Sequence, residues 1–328
     1  MIYSRFLAKT RTALRLRSPL ARQCIAEFLG VFVLIVLTLS GTAQSVTSEG
    51  TKGGYMSSAL VSGIAVMLAI HVSGGVSGGH LNPAFSLAMC LLGQFPWWKM
   101  PIYGAIQILG SFIGASAVYA LYYDAIQSYS NGTLAVTGPR ETASIFATYP
   151  APYLSIRNGF LDQTLGTGML VLSILALLDS RNKSMPPGLQ PLGVGLLVLM
   201  LSLAMGANCS CAINPARDLG PRLFTYVAGW GPQVFSAGNY WWWVPVVAPM
   251  VGAATGTAIY QFGVEFHHPP AQDEAEEDLS TEKPHPRMEK EIEIPVYAVN
   301  VYAESWKDES TEAVPAGKPG QWKSANSS

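Results

Sequence analysis

The sequence predicts an all-α membrane protein: six transmembrane helices plus two re-entrant half-helices, arranged as an inverted repeat. Three observations predict it. Long stretches carry no charge, two short apolar segments each begin with Asn-Pro-Ala, and the two halves of the chain repeat one pattern.

Of 328 residues, 49% are hydrophobic and 12% charged, against about 25% charged in an ordinary soluble domain. No Asp, Glu, Lys or Arg lies between Lys52 and Lys99, Lys99 and Asp124, Lys183 and Arg217, or Arg222 and Glu265. A hydrocarbon core about 30 Å thick needs about 20 apolar residues per helical span. Each gap therefore holds a span, or a span and something shorter. The spans fall at 23–45, 56–73, 100–123, 159–179, 188–207 and 241–263. The cysteines (Cys24, Cys90, Cys209 and Cys211) sit in or beside apolar segments, with neither a disulfide framework nor a zinc spacing. Neither a metal nor a cofactor is expected, and nucleic acid is not an expected partner.

Residues 1–22 hold Arg5, Lys9, Arg11, Arg15, Arg17 and Arg22 and no acid. The segment is too long and too basic for a signal n-region. It reads as a cytoplasmic tail, because bases flanking the first span stay inside. An even number of spans then places both termini in the cytoplasm. The link Asp179–Lys183 is short and basic, as an inside loop should be. The link 124–158 is long, polar and outside, and its Asn131-Gly132-Thr133 is a glycosylation acceptor. Asn182-Lys-Ser and Asn208-Cys-Ser match the same pattern, but the first lies inside and the second in an apolar loop, so both are set aside. The membrane domain is 23–265, with repeats at about 23–123 and 158–265. Beyond it, 266–328 carries Asp273, Glu274, Glu276, Glu277 and Asp278, several prolines and a Ser/Lys-rich end, which implies a disordered acidic tail. Ile292–Tyr302 alternates weakly, as a docking peptide or as part of a solvated tail.

Two apolar stretches are too short to span. One runs from Asn82-Pro83-Ala84 to about Leu92, the other from Asn214-Pro215-Ala216 to about Phe224. About ten helical residues rise about 15 Å, half a bilayer. Asn is a favoured N-cap and Pro is tolerated at the first helical position, so each stretch reads as a half-helix starting at its Asn. Glu27-Phe-Leu-Gly30 opens span one, and Asn82 follows 55 residues after Glu27; Gln163-Thr-Leu-Gly166 opens span four, and Asn214 follows 51 residues after Gln163. Three spans and a half-helix, repeated, force the second unit to be inverted, an architecture used for transport. Gly110-x3-Gly114 and Gly252-x3-Gly256 predict close helix packing.

Over about residues 22–265 the chain resembles the aquaporin family. The two tripeptides lie in longer patterns, Ser77-Gly-Gly-His80-Leu-Asn82-Pro-Ala and Asn214-Pro-Ala-Arg217-Asp218-Leu-Gly220-Pro. Asp218, Arg222 and Pro245 in Trp243-Val-Pro245-Val-Val-Ala-Pro249 are similar to the glycerol-conducting branch. The resemblance implies a plasma-membrane homotetramer embedded in the lipid bilayer, passing water, glycerol and other small neutral solutes.

In such a pore the half-helices enter from opposite faces and meet N-terminus to N-terminus. Each end carries roughly half a positive charge, which repels cations and orients neutral hydroxyls. Asn82 and Asn214 would point amide N–H donors into the channel, breaking a proton-conducting water chain. Either Asn alone is accounted for as a cap; the pair points to a pore. Arg217 is an intramembrane charge and so a functional one, or else a snorkelling interfacial arginine. The resemblance places it at the outer constriction, whose other positions fall on Ser62, Ser202 and Cys211. The glycerol branch usually has aromatics or glycines there, so the two serines predict restricted urea and boric acid passage, and Cys211 predicts mercurial sensitivity. His80 is a candidate pH gate, or else a neutral histidine held by loop backbone, with His71 a weaker candidate. The resemblance gives Glu27, at the edge of span one, the job of bracing a re-entrant loop, and Gln163 the same job in the second half. An enzyme is not expected: no HExxH, P-loop, nucleophile elbow or paired carboxylates appear. The rivals are a water-selective channel, a coupled transporter, which normally needs midplane acids, and an occluded structural membrane protein.

Overall fold

The computed structural model describes residues 10–11 and 14–269. The 266–328 tail assignment and the Ile292–Tyr302 segment lie almost wholly outside these residues. Six helices are long and apolar enough to cross a membrane. The chain orders them as α1 (Pro19–Thr47), α2 (Tyr55–Ser77), the short α3 (Pro83–Leu91), α4 (Met100–Leu121), α5 (Tyr123–Ser130), α6 (Ile156–Leu178), α7 (Gln190–Met205), the short α8 (Pro215–Thr225), α9 (Gln233–Tyr240) and α10 (Val244–Gly263). The two Asn-Pro-Ala stretches are α3 and α8, as the sequence predicts.

Local chemistry sets the boundaries and corrects several of them. Helix α1 starts four residues earlier than expected, because the Ser18 hydroxyl caps Ala21 N–H and Pro19 occupies the first turn. Helix α2 runs to Ser77 rather than 73, ended by Gly78 at φ 86°, a left-handed conformation glycine adopts without strain. The link between α4 and α6 contains α5, which Asn131 ends at φ 52°. Past α8 the chain turns at Gly229 (φ 122°), and α9 breaks at Ala237–Asn239. A turn over Trp241–Trp243 then leads into α10.

Both predicted glycine pairs are crossings. Gly110 and Gly114 on α4 face α1, where an added Cβ would press on Phe28 O and Ile35; Gly252 and Gly256 on α10 face α6, where it would collide with Thr164 O and Gly168 O. In each repeat the third span therefore packs its small residues on the first. Leu60, Ile64 and Leu68 on α2, and Leu192, Leu196 and Met200 on α7, stay exposed, as lipid-facing side chains must.

The contacts also define two ends of the molecule. Lys99 Nζ donates to Gln23 Oε1 at 3.2 Å, and His268 Nε2 lies 2.9 Å from Asp179 Oδ2. These place the starts of α1 and α4, and the α6–α7 link and the end of α10, at two paired points of one face. Ala151 N–H on Asn208 O (2.8 Å) and Trp230 Nε1 on Thr142 Oγ1 (3.1 Å) join the α5–α6 and α7–α10 links at the other.

Candidate pore

The pore is built where α3 and α8 meet. Asn82 caps α3 by accepting from Ala84 N–H at 2.9 Å, and Asn214 caps α8 by accepting from Ala216 N–H at 3.0 Å and Arg217 N–H at 3.2 Å. Each amide also crosses to the other half. Asn82 Nδ2 donates to Ile213 O and Asn214 Nδ2 donates to Leu81 O, both at 2.9 Å. An amide nitrogen has two hydrogens, so this tie uses one N–H of each Asn and leaves the other. Each amide is therefore shared with the opposite half, whereas the sequence predicts donors pointing into the channel alone.

The tie requires an unusual backbone. Leu81 stands at φ 55° and Ile213 at φ 37°, a region that bulky and β-branched residues avoid. Each is held from both sides. Leu81 N–H donates to Glu27 Oε2 at 2.8 Å while its carbonyl accepts from Asn214; Ile213 N–H donates to Gln163 Oε1 at 3.1 Å while its carbonyl accepts from Asn82. Glu27 and Gln163 thus occupy equivalent places in the two halves. Glu27 is fully buried, about two turns into α1 rather than at its edge. It is satisfied by Ser77 Oγ (2.6 Å), His80 N–H (2.9 Å) and Gln107 Nε2 (2.8 Å) besides Leu81. Four donors are what keep a buried carboxylate affordable. Gln163 Nε2 meanwhile donates to Ser210 O at 3.2 Å, which a carboxylate could not do.

Arg217 Nη1 donates to Phe146 O at 2.9 Å, tying the guanidinium to the α5–α6 link. The Cys211 thiol lies against the Ser202 side chain. Ser62 Oγ donates to Ser58 O, and Ser202 Oγ to Val198 O, both at 2.8 Å. Both hydroxyl protons are thereby spent inside their own helices, and the serines can only accept. Tyr55 Oη donates to Ser202 O and fills the space where a Cβ on Gly206 would lie.

Asp218 and Arg222 are both fully buried and paired at 2.9 Å. Asp218 accepts from Thr148 N–H (2.8 Å) and Oγ1 (2.5 Å); Arg222 donates to Val234 O (2.7 Å) and Thr148 O (2.5 Å) and sits 4.7 Å from the Tyr149 ring centroid. The pair fastens the α5–α6 link and α9 to α8. Pro245 is buried in the first turn of α10.

The His80 ring packs on Phe85, Phe95 and Tyr103, with centroids 4.6–5.5 Å away. Its Nδ1 lies 3.0 Å from Ser86 Oγ, a side chain rather than the loop backbone expected. His71 is exposed on the same face of α2 as Ile64 and Leu68. Asn131 is exposed, as are Gly132 and Thr133. Among the described residues, no group of three His, Cys, Asp or Glu could hold a metal. Leu81, Ile213, Gln107, Phe146, Thr148 and Tyr55 were not singled out from sequence. Only the repeat itself pointed toward the first two, as the residues preceding each Asn.

The family model described as major intrinsic protein matches residues 15–260. The chain belongs to the major intrinsic protein family, the aquaporin channels. It is 59% identical to aquaporin-10 of Homo sapiens over 91% of this chain and 98% of that protein. It is 49% identical to aquaporin-9 of Homo sapiens, over 82% and 91% respectively. An X-ray structure of the aquaglyceroporin from Plasmodium falciparum superposes with a TM-score of 0.67 at 34% identity, covering 74% of this chain and 95% of that one. The chain is thus a multi-pass membrane channel of the aquaglyceroporin kind, not an enzyme.

Proposed function

We propose that this aquaglyceroporin passes water, glycerol and other small neutral solutes passively across the plasma membrane, as a homotetramer with both termini cytoplasmic. The observation that carries this reading is the reciprocal tie between Asn82 and Ile213 O and between Asn214 and Leu81 O. It sets two positive helix ends against each other and leaves one amide donor from each Asn for a passing hydroxyl. A cation meets the two helix ends and Arg217; a polyol meets donors from the asparagines and acceptors from Ser62 and Ser202. No ion coupling is needed, because the buried carboxylates Glu27 and Asp218 are already saturated with donors.

Four finer roles belong to the same proposal. Ser62 and Ser202 restrict urea and boric acid, because their side chains make the ring narrower and more polar than glycines would. Cys211 makes conduction sensitive to mercurials. His80 gates flux on acidification: its ring lies between Tyr103 and Ser86, and Ser86 is linked through Gln107 to the Glu27 carboxylate. A second proton would bring a cation into a network built on that carboxylate. Asn131 carries an outer glycan.

The test is glycerol uptake and proton leak measured on the same proteoliposomes, with and without ionophores. Uptake that persists when every ion gradient is collapsed, with no added proton leak, is expected. Uptake that vanishes with the gradients would make the protein a coupled transporter.

A further inference from the structure

The N-terminal approach to α1 is basic throughout, with six Lys or Arg and no acid in residues 1–22. Of these, Arg11, Arg15, Arg17 and Arg22 are described, and the first three are exposed. None of the four makes an ion pair among the described residues. The apolar residues between them are not folded away: Leu14 is 74% exposed and Leu16 41%. Immediately afterwards the chain enters the first span at Pro19.

A second element completes this rim. The Lys99–Gln23 hydrogen bond holds the start of α4 against the start of α1, with Trp97 and Trp98 just before it, 57% and 59% exposed. Exposed tryptophans at a span end belong at headgroup level. Arginines with no ion pair among the described residues, exposed leucines and interfacial tryptophans thus share one end of the molecule. Water alone accounts for exposed arginines, but not for exposed leucines alternating with them. An anionic bilayer surface accounts for both, since apolar side chains insert while the bases meet phosphate and carboxylate oxygens.

We propose that Arg11, Arg15, Arg17 and Arg22, with Trp97 and Trp98, form a binding surface for anionic lipid headgroups of the leaflet that receives the N-terminus. On the topology proposed above, this is the cytoplasmic leaflet. Guanidinium groups bind headgroup phosphate bidentately, and the attraction falls off within a Debye length.

Native mass spectrometry of the full, detergent-solubilised chain tests this independently of how it inserts in vesicles. Phosphatidylserine and phosphatidylcholine are offered in equal amounts, and the ratio retained is read. The wild type retains more phosphatidylserine. A variant carrying R11Q, R15Q, R17Q and R22Q loses that preference by roughly tenfold or more, each basic side chain contributing up to about fivefold. The matching four-lysine variant keeps most of it. Inorganic phosphate in millimolar excess should not displace the retained lipid. Equal retention of the two lipids by the wild type, a preference unchanged in the glutamine variant, or displacement by phosphate alone would each overturn the proposal. Glycerol flux of the glutamine variant in phosphatidylcholine vesicles stays at the wild-type level, which separates a failed lipid site from a failed channel.

Discussion

Replacing Asp218 by alanine isolates the outer fastening. The carboxylate is fully buried, 2.9 Å from Arg222 Nε, and accepts twice from Thr148. Its loss leaves a buried guanidinium without its counter-charge, which costs about 3–5 kcal/mol. The two orphaned Thr148 donors belong to the same site, so their penalty does not simply add. At about 2–4 °C per kcal/mol for a chain of this size, the melting temperature in detergent falls by roughly 6–20 °C. The effect reaches the pore as well. Thr148 lies two residues beyond Phe146, whose carbonyl holds Arg217, so glycerol flux per folded channel also falls. Pairing Asp218→Ala with Arg222→Met removes both charges and recovers much of the lost stability, because a buried ion pair and a packed apolar pair are often nearly equal in energy. Thermal unfolding by intrinsic fluorescence reads both variants. A single-mutant loss under about 1 kcal/mol, or a double mutant worse than the single, would refute the fastening role.

Other outcomes follow from the same geometry. The double variant Ser62→Gly, Ser202→Gly raises urea permeability in a swelling assay more than it raises glycerol permeability; an unchanged urea trace removes the serines from the filter. Cys211→Ser abolishes inhibition by mercurials, which full inhibition of the variant would contradict. Flux through the wild type changes on acidification and that change is absent in His80→Ala; a wild type whose flux is the same at neutral and acidic pH removes the gate. At the inner end, burial raises the Asp179 carboxyl, but Arg181 N–H, Tyr260 Oη and His268 outweigh it and hold the group below its ordinary value. Its stabilisation is therefore complete above about pH 4 and lost as pH falls through the lower folded value. In an acid titration of stability, Asp179→Asn should lack that component while matching the wild type's remaining slope.

Much of the fold was legible because the bilayer imposes its own code. Uncharged gaps such as Lys52 to Lys99 located spans, and Asn-Pro at the start of α3 and α8 located half-helices from capping chemistry alone. Boundaries such as Ser77 and Pro19 depended on a glycine cap and a Ser-Pro cap that periodicity does not weigh. Within the pore, Asn82, Asn214 and Arg217 stood out as polar groups in apolar surroundings. Leu81 and Ile213 did not, because nothing in a leucine or isoleucine announces a positive φ. Their conformation exists only because Glu27, Gln163 and the opposite Asn hold each peptide from both sides, and those partners are 50 to 133 residues away in sequence. Asp218 and Arg222 were visible as branch markers, but their job as a buried clamp on Thr148 and Val234 is tertiary.

The most direct measurement is stopped-flow light scattering on proteoliposomes carrying this chain, challenged in turn with sucrose and with glycerol. Rapid shrinkage in sucrose, followed in glycerol by rapid reswelling that needs no ion gradient, is the predicted result. Rapid water movement without reswelling in glycerol would contradict the polyol pore and place the chain with the water-selective channels.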